Sequence, residues 1–173
     1  ILISIALSAF FSGMEIAFVS SNKLRFELDK KQKSLSASIL SLFYDNSENF
    51  ISTLLVGNNI ALVVYGMIMA NMLEPFLAQF IPNDAAVVFL QTIISTFIIL
   101  ITAEFLPKTI FRINPNFSLK LFAMPLLLIY IALYPISKFA SLISKMILKI
   151  LRVKVHPRSD KKVFGKIDLN YFI

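Results

Sequence analysis

From Ala85 to Thr102 the only strongly polar side chain is Gln91, and the run then closes on Ala103, Glu104, Phe105, Leu106, Pro107, Lys108 and Thr109. Roughly 20 apolar residues cross the hydrocarbon core of a bilayer as a helix, so this stretch makes the chain a membrane protein. Its ending is the tighter constraint. A carboxylate well inside a membrane costs on the order of 2.5 to 3.5 kcal/mol, and Glu104 therefore needs a compensating partner. Pro107 has no N–H and clashes with the carbonyl four residues back, which predicts that the Ala103 carbonyl loses its helical donor beside the Glu104 carboxylate. Two oxygen acceptors would then converge, as a cation ligand set requires. The plainer alternative is a Glu104 to Lys108 ion pair at the i, i+4 spacing of a helix end near the interface.

The rest of the chain fits one membrane domain. With 57% hydrophobic residues and a mean hydropathy of +0.78, the 173 residues are too apolar for an ordinary soluble domain and too short for a large transporter. Ile1 to Phe11 lacks a preceding basic region and a following small-residue cleavage site, so it reads as a mature span rather than a signal peptide. The absence of cysteine excludes disulfides, thiolate metal sites and thiol catalysis. His156, the single histidine, sits beside Pro157 in a basic tail and reads as a solvated linker residue. The net charge of +7 does not point to nucleic acid, because the basic residues flank apolar spans without a nucleic-acid surface pattern. Anionic lipid headgroups are the expected partner.

Taken in order, Ile1 to about Ser20 is a first span, with Ser4, Ser8, Ser12 and Glu15 on one helical face and Gly13 beside it. Residues Asn22 to Asn49 carry Lys23, Arg25, Lys30, Lys31 and Lys33 and predict a juxtamembrane hairpin of two short amphipathic helices. Phe50 to Leu73 is a second span holding Gly57, Asn58, Asn59, Gly66 and Asn71. Adjacent asparagines inside a membrane are costly. A short acidic loop over 74–84 leads to the third span, Ala85 to about Ile110.

Phe117 to Leu151 is apolar again but interrupted by Pro125 and Pro135. With three spans, all 17 lysines and arginines fall on the cytoplasmic side, as the positive-inside rule prefers; a fourth crossing would carry Lys138, Lys145, Lys149, Arg152 and Lys154 outside. Residues 117–137 are therefore expected to form a shallow or re-entrant helix. Lys138 to Leu151 is expected to be a basic amphipathic helix lying in the interface. The expected architecture is all-α, with the N-terminus outside and the C-terminus cytoplasmic. Residues 1–151 form the transmembrane domain, and 152–173 a linker towards a cytosolic domain cut away from this fragment.

Each span thus carries a polar cluster, and a suitable stagger would bring Ser8, Ser12, Gly57, Asn58 and Glu104 to a common depth. The resulting ligands are two hydroxyls, an amide oxygen, a carboxylate and one or two backbone carbonyls at Gly57 or Ala103. Hard oxygens with a single negative charge suit Mg²⁺, and also Na⁺, but not a soft transition metal. Each feature has a packing alternative. The serines can bond to their own backbone, Asn58 and Asn59 can bond across helices, and the glycines can serve close approach.

The sequence Phe10 Phe11 Ser12 Gly13 Met14 Glu15 Ile16 Ala17, then Gly57 Asn58 Asn59, then Glu104 Phe105 Leu106 Pro107 Lys108, resembles the transmembrane domain of the cyclin M (CNNM) and CorC magnesium transporters, over residues 1 to about 150. The resemblance implies three spans with a juxtamembrane hairpin, a homodimer, and a following cytosolic pair of CBS modules that bind ATP. It implies Mg²⁺ export coupled to Na⁺ entry, with Ser8, Ser12, Gly57, Asn58 and Glu104 holding a dehydrated Mg²⁺. A non-transporting scaffold or Mg²⁺ sensor is the alternative. An enzyme is not expected, because Glu15 and Glu104 are the only acids within the spans and no nucleophile and base pair accompanies them.

Overall fold

The computed structural model describes residues 1–22 and 35–151, and every regular element within them is helical. These are α1 (Leu2–Ser20), α2 (Leu35–Asp45), α3 (Ser47–Leu77), α4 (Asp84–Ile99), a π-helical segment (Leu100–Phe105), α5 (Leu106–Ile113), α6 (Pro115–Leu121) and α7 (Ala123–Ile150). Among the described residues four stretches are long and apolar enough to cross a membrane: Leu2–Ser20, Ser47–Leu77, Asp84–Ile113 and Ala123–Ile143. Large apolar side chains such as Val63, Met67, Phe89 and Phe97 are exposed, which suits a surface whose solvent is lipid rather than water.

Local chemistry sets the ends of the third span. The Asn83 side chain accepts from Ala85 N–H at 3.0 Å and from Ala86 N–H at 3.4 Å, capping two of the donors a helix start leaves free. At the other end the helix widens before Pro107. Leu106 N–H bonds to Ile101 O, five residues back, and the next bond in that series would need the N–H that Pro107 lacks. This corrects the expected position of the freed acceptor: in the π register the carbonyl whose donor position falls on Pro107 is Thr102, not Ala103.

The helix α1 is the hub, packing against α3, α5, α6 and the π segment. Its partners show direction. Ser8 meets Asn58 and the Phe11 ring covers Gly57, so α1 and α3 run antiparallel. Ile5 and Ala9 pack in one cluster with Ile99 and Ala103, and the Phe111 ring covers Gly13, so α1 and the third span run parallel. Tyr65 OH donates to Ser95 O at 3.0 Å, tying α3 to α4.

A second, aromatic core forms where α2 folds back. Phe43 and Phe50 stack with ring centroids 4.2 Å apart, Phe18 lies 4.8 Å from Phe50, and Tyr44 stacks on Phe18 at 4.9 Å. The hydroxyls of Ser21 and Tyr44 share a short hydrogen bond, and burial pushes the Tyr44 phenol above its usual pKa. Here α2 is the second helix of the expected hairpin; the first lies outside the described residues, as does the expected linker over 152–173.

The C-terminal region departs from expectation in one respect. Instead of a shallow helix followed by a separate amphipathic one, α7 runs unbroken from Ala123 to Ile150. Pro125 falls in its first turn, where no N–H is needed, and Pro135 removes only a single interior donor. Its course over α3 is oblique. Tyr130 neighbours Phe50, Ser137 Oγ donates to Asn49 O at 3.3 Å, and Ser141 Oγ donates to Ser52 Oγ at 3.3 Å. From Tyr130 to Ser141 a helix rises about 16 Å, yet the partners on α3 stay within about one turn. The helix therefore crosses the start of α3 rather than running alongside it. The compact unit closes at Ser141; Leu142 onward is a second unit, described here only as the end of this helix and the turn at Leu151.

Candidate cation site

The serine face of α1 is buried, and its three hydroxyls have three different fates. Ser4 Oγ donates to Ile1 O at 2.8 Å within its own helix. Ser8 Oγ donates to Asn58 Oδ1 at 2.7 Å across to α3. Ser12 Oγ, fully buried, has no hydrogen-bond partner. A hydroxyl removed from water and left unpaired costs about 1 to 3 kcal/mol, and this one lies a single helical turn beyond the Ser8 and Asn58 pair.

Glycine makes the close approach possible at two points. A Cβ on Gly57 would lie 2.6 Å from the Phe11 ring, and a Cβ on Gly13 would lie 2.6 Å from the Phe111 ring. Both positions hold α1 against its neighbours on either side of the serines. Gly66 differs, since a Cβ there meets nothing within 4 Å. Gly57 and, one turn on, Ala61 are buried within the chain.

Asn58 is half-buried against Ser8, whereas Asn59 is exposed. Glu104 is half-buried beside Ala103, which is fully enclosed in the cluster containing Ile5 and Ala9. In sequence Glu104 falls between the contact at Ala103 and the contact at Phe111, as Ser12 falls between Ala9 and Gly13. Ser8, Asn58, Phe11 and Gly57 are thus in direct contact, Ser12 is adjacent, and Glu104 is on the π segment packed against the same stretch of α1. Among the described residues Glu104 makes no ion pair with Lys108.

The donor set is hydroxyl, amide and carboxylate oxygen, with the Thr102 carbonyl of the π segment facing Pro107 in place of a donor. Among the described residues no three His, Cys, Asp or Glu side chains come together. Such a set offers little to a soft metal and suits a hard cation that needs several neutral oxygens and one charge. Sequence reasoning missed the π register, the cover of Gly13 by Phe111 and the orphan state of Ser12. The first had a visible signal in the proline three residues after an acid that closes an apolar run.

Residues 1–172 match the family described as the cyclin M transmembrane N-terminal domain. The chain is 33% identical over 176 residues to the UPF0053 protein MG146 of Mycoplasma genitalium, covering 97% of this chain and 39% of that protein. It is 28% identical over 148 residues to the UPF0053 inner membrane protein YfjD of Escherichia coli, covering 86% of this chain and 33% of that protein. A UPF0053 protein of Haemophilus influenzae is 24% identical over 174 residues, covering all of this chain and 39% of that protein. The chain therefore spans between a third and two fifths of the length of these curated relatives.

Proposed function

The chain belongs to the cyclin M transmembrane N-terminal domain family, and on that premise we propose that this multi-pass membrane protein moves Mg²⁺ across the bilayer, as export coupled to Na⁺ entry. The observation that carries the reading is the buried, unpartnered Ser12 hydroxyl one turn from the Ser8 and Asn58 pair, on the helix that packs against the π segment bearing Glu104. In this proposal Ser8 Oγ, Ser12 Oγ, Asn58 Oδ1, a carbonyl at Gly57 and the Glu104 carboxylate hold the dehydrated ion. Glu104 supplies the charge that offsets dehydration, and the neutral oxygens replace the lost water. The Ser8 hydroxyl turns its lone pairs rather than its hydrogen to the cation, so the bond to Asn58 rearranges on binding.

The topology proposed is three crossings, with the N-terminus outside and α7 lying at the cytoplasmic surface. Its support is the oblique passage of α7 over the start of α3, together with the positive-inside rule. A homodimer is proposed because one copy has few helices with which to enclose a path, and Gly66 remains open for close approach by a second copy. ATP would act through CBS modules of the longer protein rather than through residues of this domain.

A non-transporting scaffold or Mg²⁺ sensor is favoured by one observation, that Ser8 and Asn58 already satisfy each other across α1 and α3. Flux separates the two. Vesicles containing the purified full-length protein and preloaded with Mg²⁺ should release it faster on external Na⁺ than empty-membrane controls. Mg²⁺ stabilisation without flux would establish the sensor reading instead.

A further inference from the structure

The third span ends against a cavity of about 410 Å³ lined by Phe105, Lys108, Thr109, Arg112 and Ile113 along one face of the span and by Ile16 of α1. Lys108 and Arg112 are four residues apart on α5 and so project from one face. Neither has an ion-pair partner among the described residues, and no carboxylate lines the cavity. The acids nearest in sequence, Glu15 on α1 and Glu104 on the π segment, are outside its walls. Thr109 spends its hydroxyl hydrogen on Phe105 O at 2.9 Å, so recognition of an anion falls to the two cations. The apolar residues of the same face are largely uncovered, Phe105 before Lys108 at 65% exposure and Ile113 after Arg112 at 71%.

We propose that this cavity seats one anionic phospholipid of the surrounding leaflet, its phosphate between Lys108 and Arg112 and its upper acyl chain along Phe105. Two unpaired cations at the end of a membrane span call for an anion, and guanidinium matches phosphate in a forked geometry that ammonium does not. A free inorganic anion would satisfy the cations and leave Phe105 bare. A phospholipid satisfies both at once, and its anionic class is set by the excess of charge in the cavity.

The test uses the purified full-length protein in nanodiscs of phosphatidylcholine, alone or with increasing phosphatidylglycerol, read by native mass spectrometry of retained lipid and by thermal shift. At about 1 kcal/mol for each basic residue near an anionic surface, Arg112→Gln and Lys108→Gln should each weaken phosphatidylglycerol retention about fivefold, and the double variant about 25-fold. Lys138→Gln is the control, since Lys138 lies over the Tyr134 ring at 5.9 Å, outside the cavity, and it should change retention less than about twofold. Arg112 is exposed, so its variant should melt normally in pure phosphatidylcholine. Soluble glycerol phosphate should not stabilise the protein. Equal losses in Lys138→Gln would show diffuse surface attraction, and equal stabilisation by glycerol phosphate would show a free-anion site; either overturns the proposal. The lipid site does not depend on the transport reading, because Arg112→Gln should leave stabilisation by Mg²⁺ unchanged.

Discussion

Ser8 donates a hydrogen bond of 2.7 Å to Asn58 Oδ1, while Ser12, one turn further along α1 and equally buried, bonds to nothing. The two serines should therefore respond in opposite ways to loss of the hydroxyl. Ser8→Ala leaves the Asn58 amide oxygen unpaired and should cost about 1 to 3 kcal/mol of stability without Mg²⁺. Ser12→Ala removes an unsatisfied group and should leave the ion-free protein as stable or more so. Both should weaken Mg²⁺. Melting curves in detergent, with and without Mg²⁺, measure the difference; an ion-free loss in Ser12→Ala as large as that in Ser8→Ala would mean that the Ser12 hydroxyl has a partner in the membrane.

The glycines divide in the same fashion. Gly13→Ala and Gly57→Ala push a methyl group into the Phe111 and Phe11 rings and should destabilise by about 1 to 3 kcal/mol, as overpacking does. Gly66→Ala meets nothing within the chain and should leave the fold intact. A bulkier Gly66→Leu should lower the dimer fraction in nanodiscs while the monomer stays folded. A dimer unaffected by Gly66→Leu would place the partner on another face.

Tyr44 adds a pH test at the hairpin. Burial raises its pKa in the folded state, outweighing the lowering effect of the Ser21 hydrogen bond. The folded protein thus holds the phenolic proton more tightly than the unfolded chain does. Its contribution is complete below the unfolded value of about 10 and is lost as pH rises through the folded value. Wild-type stability should fall above about pH 10 more steeply than that of Tyr44→Phe, and parallel curves for the two would remove Tyr44 as the cause.

Much of this was legible in the chain because a bilayer imposes so few solutions. The long apolar helices follow from apolar length alone, and the serine face of α1 follows from a spacing of three to four residues. What could not be read is register between helices. That Ser8 pairs with Asn58 rather than Asn59 depends on how Phe11 seats on Gly57, which is a matter of shape between residues 46 positions apart. The π segment was half visible: Pro107 announced a lost donor, but its consequence moved from Ala103 to Thr102 because the helix absorbed the proline by widening before it. That α7 is unbroken is not legible from charge placement, which separates 117–137 from 138–151 by depth and says nothing of a join; Pro125 sits in a first turn and Pro135 costs a single bond, so neither ends the helix.

Topology has a direct chemical test. A single cysteine at Asn83 should label with an impermeant thiol reagent from outside intact cells, and one at Leu151 should label only after permeabilisation. External labelling at Leu151 would show that Ala123–Ile143, long and apolar enough to span, does cross.

The central claim is that Glu104 faces a cation rather than a neighbouring lysine, and Glu104→Gln measures it. The substitution keeps the shape and one oxygen of the side chain but removes the charge that offsets dehydration of a divalent ion. Thermal-shift titration of the purified protein with Mg²⁺ should show stabilisation in the wild type, and at least a tenfold weaker response in Glu104→Gln, equivalent to about 1.4 kcal/mol. Lys108→Met should leave the response intact. Unchanged Mg²⁺ stabilisation in Glu104→Gln, or an equal loss in Lys108→Met, would contradict the cation site and with it the case for transport through this domain.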